Sequence, residues 1–186
     1  MTTALTRFHT FFDHCIGTWE TERTYHELTS QVVERSKTSF TIRTLTPPFK
    51  EKVLQDNNYP PQPEINGLLG FHLDFDTVSE SGAAVSQSLN MLFLPVDEEA
   101  LILEGDYLRD RAYEEDRPIV AHFRFDPSSQ ELLMTTHYTQ VVSVDSIRMI
   151  SPRLRLRQIL NYHRLPDGDP YQQLIMAGFG VEQKVI

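Results

Sequence analysis

Hydrophobic positions along the chain follow two periods. Between residues 4 and 15, Leu5, Phe8, Phe12 and Cys15 recur at spacings of three and four, which predicts a short helix with one apolar face. Gly17 is a suitable stop for it. Beyond it the chain changes to runs rich in β-branched and aromatic residues. These runs predict strands at 18–28, 30–45, 65–75, 84–95, 100–109, 118–126, 131–144, 146–151, 153–162 and 173–185. Turn-forming stretches such as TVSESG, VDEEA, DPSSQ and LPDGDP separate them, and YEEDRP at 113–118 reads as a solvated charged turn. Residues 46–64 hold five prolines and predict a long connection with a turn of helix near 49–56. No helix of crossover length lies between the strands, which excludes parallel βαβ units. The expectation is an all-β chain: a ten-stranded antiparallel up-and-down barrel behind a short N-terminal helix, forming one domain over 1–186.

One stretch raises a question that periodicity leaves open. SPRLRLRQIL, residues 151–160, places Arg153, Arg155 and Arg157 at every second position, with Leu154 and Leu156 between them. Alternate side chains of a strand face opposite ways. Either the leucines fill the core and the arginines meet water, or the arginines line a cavity and hold something negative. Residues 146–165 carry five of the 17 basic residues and none of the 26 acidic ones, on a chain of formal net charge −9. That balance argues against nucleic acid and anionic membranes as partners and suits a small anionic ligand.

Composition narrows the chemistry further. A 40% hydrophobic content supports a real core, and the lone Cys15 closes no intrachain disulfide, as expected of a reducing compartment. The seven histidines lack metal-binding spacing, and no nucleophile elbow or phosphate loop occurs. The chain also lacks a membrane-span-length apolar run and a signal-peptide core, so no membrane insertion is expected.

The first strand carries the next signal. Gly17-Thr18-Trp19 resembles the G-x-W of lipocalin-like and fatty-acid-binding barrels, in which the indole closes one end and a late-strand arginine packs on it. In regular geometry Trp19, Arg23 and Tyr25 share a face, and His26 takes the other unless a bulge reverses it. An inward Arg23 needs a carboxylate, supplied by the protein or by a ligand. An outward Arg23 would sit in water near Glu20 or Glu22.

Taken in order, GTWETERTYHEL, LEGDYLRDRAYEEDRPIVAHFRFD and SPRLRLR resemble the S/U-type (CpcS/CpeS-like) phycobiliprotein chromophore lyases over about residues 8–185. The family pattern W-x-x-x-R-T-x-H falls on Trp19, Arg23, Thr24 and His26, and the arginines of N-L-R-L-R fall on Arg155 and Arg157. The resemblance implies a lipocalin-like ten-stranded barrel that takes an open-chain tetrapyrrole (a bilin of the phycocyanobilin type) as substrate and needs neither prosthetic group nor metal. It implies transfer of the bilin, through a thioether, to a cysteine of an apo-phycobiliprotein subunit in cyanobacterial cytosol or plastid stroma. It also implies bilin contacts from Trp19, Arg23, His26, Phe75, Arg155 and Arg157, with Asp145 and Arg155 as catalytic candidates. Departures are present. Leu69 and Phe75 stand where many members have tryptophans, Ser146 and Arg148 replace an arginine and a tryptophan, and Glu27 replaces a second histidine. They fit a U-type chain that pairs with an S-type subunit, though a homodimer also fits. The alternatives are a bilin or fatty-acid carrier and a non-catalytic lyase subunit.

Overall fold

The computed structural model describes residues 3–110, 115, 117, 119–165 and 168–185. Helix α1 spans Ala4–Cys15, as its periodicity predicts, and the Thr3 hydroxyl caps its N-terminus by accepting from the Thr6 amide. Gly17, at φ 122°, turns the chain directly into the first strand. Ten strands follow: β1 (Gly17–Glu27), β2 (Val32–Thr44), β3 (Gly70–Ser79), β4 (Ala84–Pro95), β5 (Leu103–Arg109), β6 (Ile119–Asp126), β7 (Glu131–His137), β8 (Val141–Ser151), β9 (Leu154–His163) and β10 (Leu174–Lys184). Each pairs antiparallel with its sequence neighbours, and β10 pairs with β1, so the sheet closes into the expected lipocalin-like barrel. Among the described residues no helix is long and apolar enough to cross a membrane.

Two strand boundaries differ from the sequence reading. The predicted 65–75 strand begins only at Gly70 and runs on to Ser79, because Thr77 and its neighbours pair with β2. Ile65 and Leu68 instead pack on a small core outside the barrel wall, under helix α2 (Pro47–Asp56). The second difference matters more. The predicted break at Asp145 does not exist. The chain turns at Tyr138–Gln140, where the Tyr138 amide donates to the Val141 carbonyl, and β8 runs unbroken through Asp145. A residue read as a strand end therefore stands mid-strand with its side chain facing inward. The charged turn at 113–118 falls mostly outside the described residues.

The barrel has unlike ends. α1 lies across the end where β1 starts. Its Phe8, Phe11 and Phe12 are buried and meet Phe71, Phe93, Phe123 and Phe125 from the wall at centroid distances of 4.8–5.9 Å. Such pairs add roughly 0.5–1.5 kcal/mol each beyond area burial. Toward the other end the inward residues Tyr25, Phe75, Gln87, Leu89, Ser143, Ile159 and Met176 are only half-buried. Among the described residues, the plug end is therefore tightly packed and the opposite half less so.

A buried lysine holds the long connection against the wall. Lys50 of α2 donates from Nζ to the carbonyls of Ile65 (3.2 Å), Asn66 (3.1 Å) and Leu68 (2.6 Å), and burial lowers its pKa. Lys50→Met is expected to lower stability by about 1–3 kcal/mol, because three carbonyls lose a charged donor. Urea unfolding measures the loss, and amide exchange should rise first over 65–69.

Candidate functional site

β9 answers the question raised by its alternating arginines. Arg155 and Arg157 face inward, opposite Glu182 and Gly180 of β10, and Leu156 is exposed outside. Arg153 shares their parity but lies in the turn before the strand, in solvent. Arg23 of β1 also faces in, across from Gly180. Three guanidinium groups thus point into one barrel.

Their partner is a residue the sequence reading passed over. Glu182 is fully buried and collects all three. Its Oε2 accepts from Arg155 Nε, its Oε1 accepts from Arg23 Nη2 at 3.1 Å, and Arg157 Nη1 lies 3.9 Å from Oε1. Burial alone would raise this carboxyl, but Arg155, Arg157 and Arg23 outweigh it and hold its pKa below the ordinary value. Neither Glu20 nor Glu22 serves Arg23: both stand on the outer face, where Glu22 pairs with Lys37. A signal for Glu182 was present. In GFGVEQK, Gly178, Gly180 and Glu182 share one parity, so two small residues leave room beside one acid. A Cβ at Gly178 would stand 2.6 Å from the Tyr25 ring, and one at Gly180 would stand 3.0 Å from Arg23 Cγ. The glycines let both side chains lie flat across β10.

The array divides in two. Arg155 belongs to the packed end. It is 2% exposed, its guanidinium stands 4.6 Å from the Trp19 ring centroid, and its Nη1 contacts Cys15 Sγ at 3.2 Å. Trp19 is itself fully buried and donates from Nε1 to the Cys15 carbonyl at 2.8 Å, so the indole joins α1 to the wall. Burial pushes the Cys15 thiol up, against the opposing pull of Arg155, and so disfavours a reactive thiolate. Arg157 belongs to the less tightly packed half. Its side chain is 20% exposed and forms a two-point bond with Asp145, which is 17% exposed. Burial alone would depress the Arg157 guanidinium, but Asp145 and Glu182 hold it above its ordinary value.

Two further candidates separate. Phe75 faces the lumen, in register with Phe40. His26 does not. β1 pairs with β2 and β10 in unbroken register, so no bulge reverses it, and His26 lies exposed on the outer face beside Phe179. Of the aromatic departures, Leu69 packs against the plugged core and Arg148 stands outside. A surface hollow of about 460 Å³ is lined by Leu156, Phe179, Val181 and Arg148 of the outer wall, and also by Arg157. No group of three or more metal-ligating side chains occurs among the described residues.

The chain is thus a closed, lipocalin-like barrel, plugged at one end and carrying an inward arginine–carboxylate pair toward the other. More particularly, the chain belongs to the CpeS-like protein family, whose pattern residues 7–185 match. It is 65% identical over 182 residues to "Chromophore lyase CpcS/CpeS 1" of Synechococcus sp. (strain JA-3-3Ab), covering 98% of each chain. It is 26% identical over 147 residues to "Chromophore lyase CpcS/CpeS" of Thermosynechococcus vestitus, covering 79% of each. Among solved structures, the S-type phycobiliprotein lyase CPES from Guillardia theta superposes with a TM-score of 0.76 over 96% of this chain and 93% of that one. At 15% identity this shows a shared fold.

The burial of Glu182 predicts its effect on stability. Glu182→Gln leaves the buried Arg155 without a counter-charge and should cost about 3–5 kcal/mol at pH 7, read by urea unfolding. Because the folded value is depressed, the contribution is complete above the unfolded carboxyl value of about 4.3. It fades as pH falls through the lowered folded value. The variant should therefore show a flatter acid limb than the parent protein.

Proposed function

We propose that this protein is a bilin lyase: it holds an open-chain tetrapyrrole in the less tightly packed half of the barrel and attaches it to a cysteine of an apo-phycobiliprotein subunit. The observation that carries the reading is the inward Arg157–Asp145 pair, part-exposed above a sealed aromatic floor. Kinship with curated chromophore lyases supports it. A bilin is an apolar conjugated chain bearing two propionates. The half-buried Phe75, Leu89, Ile159 and Met176 suit its rings. Arg157 suits a propionate, because a guanidinium and a carboxylate meet in a charge-assisted, two-point bond. Arg155 is excluded as a ligand contact in this reading, because Glu182, Cys15 and Trp19 already surround it at the packed end. Arg155 and Trp19 then act by holding the wall, and Asp145 and Arg157 are the residues in reach of substrate.

The reaction is addition of the acceptor's S–H across the ethylidene double bond of ring A. The thiolate sulfur forms a bond to the ethylidene carbon, the displaced electron pair passes into the conjugated system, and one proton returns to ring A. The protein supplies position rather than a covalent nucleophile. Holding two reactants in place can lower a barrier by up to roughly 7–11 kcal/mol. Asp145, held by Arg157, accepts hydrogen bonds from pyrrole N–H groups and orients ring A. No residue of this chain is used up in the step.

Mixing the protein with phycocyanobilin and an apo-subunit, with and without an S-type lyase subunit, tests the reading. A thioether-linked, acid-stable coloured subunit is expected. Bilin binding without transfer under both conditions would leave a carrier and contradict the lyase. Arg157→Leu should weaken bilin binding about tenfold or more in an absorbance titration, the loss of one charge-assisted pair. Asp145→Asn should slow transfer more than it weakens binding.

A further inference from the structure

The lumen accounts for the inward residues of β9 and β10 but not for the outward ones. On the outer wall Leu156 is 42% exposed, Phe179 48% and Val181 55%. Leu156 is the direct cross-strand partner of Val181, and Phe179 lies two residues from Val181 on the same face of β10. All three line the hollow of about 460 Å³, so the wall dips there rather than bulging. Single exposed apolar side chains need no partner, whereas a contiguous group of this kind marks a contact surface.

The charges beside the group identify the partner. Arg148 of β8 is in register with Leu156, Leu156 with Val181, and Val181 with Glu22 of β1. One row across four strands therefore reads cation, apolar, apolar, anion, and Arg148 and Glu22 both line the hollow. Opposite signs continue beyond each end: Arg148 is in register with Glu131 of β7, and Glu22 with Lys37 of β2. Glu22 meets Lys37 at 3.3 Å, but both side chains are strongly exposed, and such a pair contributes little. Glu22 can thus accept a second cation.

A twofold axis between β9 and β10, parallel to the strands, turns this row end for end. It sets Arg148 of one copy against Glu22 of the other, twice, with Leu156 against Val181 between them. The adjoining row, Ser146, Gln158, Phe179 and Thr24, carries no charge, so it brings no like charges together. An axis across the strands would set Arg148 against Arg148, which repulsion disfavours.

We propose that the outer face of β9 and β10 is the contact surface of a homodimer, with a second copy of this chain as its occupant and two reciprocal Arg148–Glu22 pairs at its rim. The contact goes beyond the bilin reading and does not depend on it. Its residues point away from the lumen, so each barrel keeps its own interior.

Sedimentation velocity of the protein without bilin, from about 1 to 100 µM, tests it. The parent protein should show a reversible monomer–dimer equilibrium. Arg148→Glu and Glu22→Arg each place two like-charged pairs in the contact, and each alone should raise the dissociation constant about tenfold or more. An equal mixture of the two variants should dimerise again, because every facing pair in the mixed dimer is then opposite in sign. The chain carrying both exchanges should dimerise for the same reason. Matching circular dichroism shows that the variants fold. A parent protein that stays monomeric over the whole range would overturn the proposal and leave the face to a different chain. A parent dimer that neither variant weakens, or a mixture that does not recover it, would overturn it too and assign the dimer contact elsewhere. Each of these results leaves the lyase reading standing.

Discussion

A single carboxylate, Glu182, sits where no water reaches it and is ringed by Arg23, Arg155 and Arg157. Much of the interior depends on that arrangement. A buried charge is tolerable only when it is paired and hydrogen-bonded, and removing one member leaves the others exposed to the full desolvation cost. The carboxylate therefore fixes three arginines that come from two different strands. It also sets β9 against β10 and β1, because the strands must stay in the register that brings Arg155, Glu182 and Thr21 side by side. The same Arg155 plane lies on Trp19, and Trp19 binds the end of α1. Charge pairing, cation–π contact and helix docking are thus one connected unit.

That unit divides the lumen by solvent access. On one side, phenylalanines from α1 and four strands fill the space. On the other, the same inward parity presents half-buried apolar side chains with Arg157 and Asp145 among them. The ligand proposed above, with an apolar body and acidic ends, would meet a surface of matching kind there. The packed end provides rigidity, and rigidity keeps a two-point arginine–carboxylate bond aligned. Under the proposed function the scaffold and the binding surface come from alternate residues of one strand: Arg155 serves the first and Arg157 the second.

The fold was legible in the sequence because alternation and turn chemistry are local, and every strand carries them. Helix α1 spans the residues its periodicity predicts, and the sheet has the expected ten strands. The errors came where local pattern and tertiary demand diverge. Tyr138-Thr139-Gln140 contains no glycine or proline, so its turn looked like strand, and Asp145 looked like a break because acids are uncommon inside strands. The structure keeps it there because Arg157 of the neighbouring strand, two residues off register, pairs with it. The inward direction of the arginines was undecidable from periodicity, since either face could be core. What decides it is Glu182, 27 residues away from Arg155 in the chain: the GFGVEQK parity marks room beside an acid, but not which strand fills it. The direction of His26 followed simple alternation, and the bulge that would have brought it inside does not form.

Under the proposed function Arg157 contacts the ligand, whereas Arg155 is part of the wall. Nuclear magnetic resonance of the arginine Nε–H groups, recorded with and without phycocyanobilin, tests that separation directly. The Arg157 signal should move on bilin addition, while Arg155, enclosed by Glu182, Cys15 and Trp19, should hold its shift. Movement of the Arg155 signal with Arg157 unchanged would contradict the account and place the ligand against the plug.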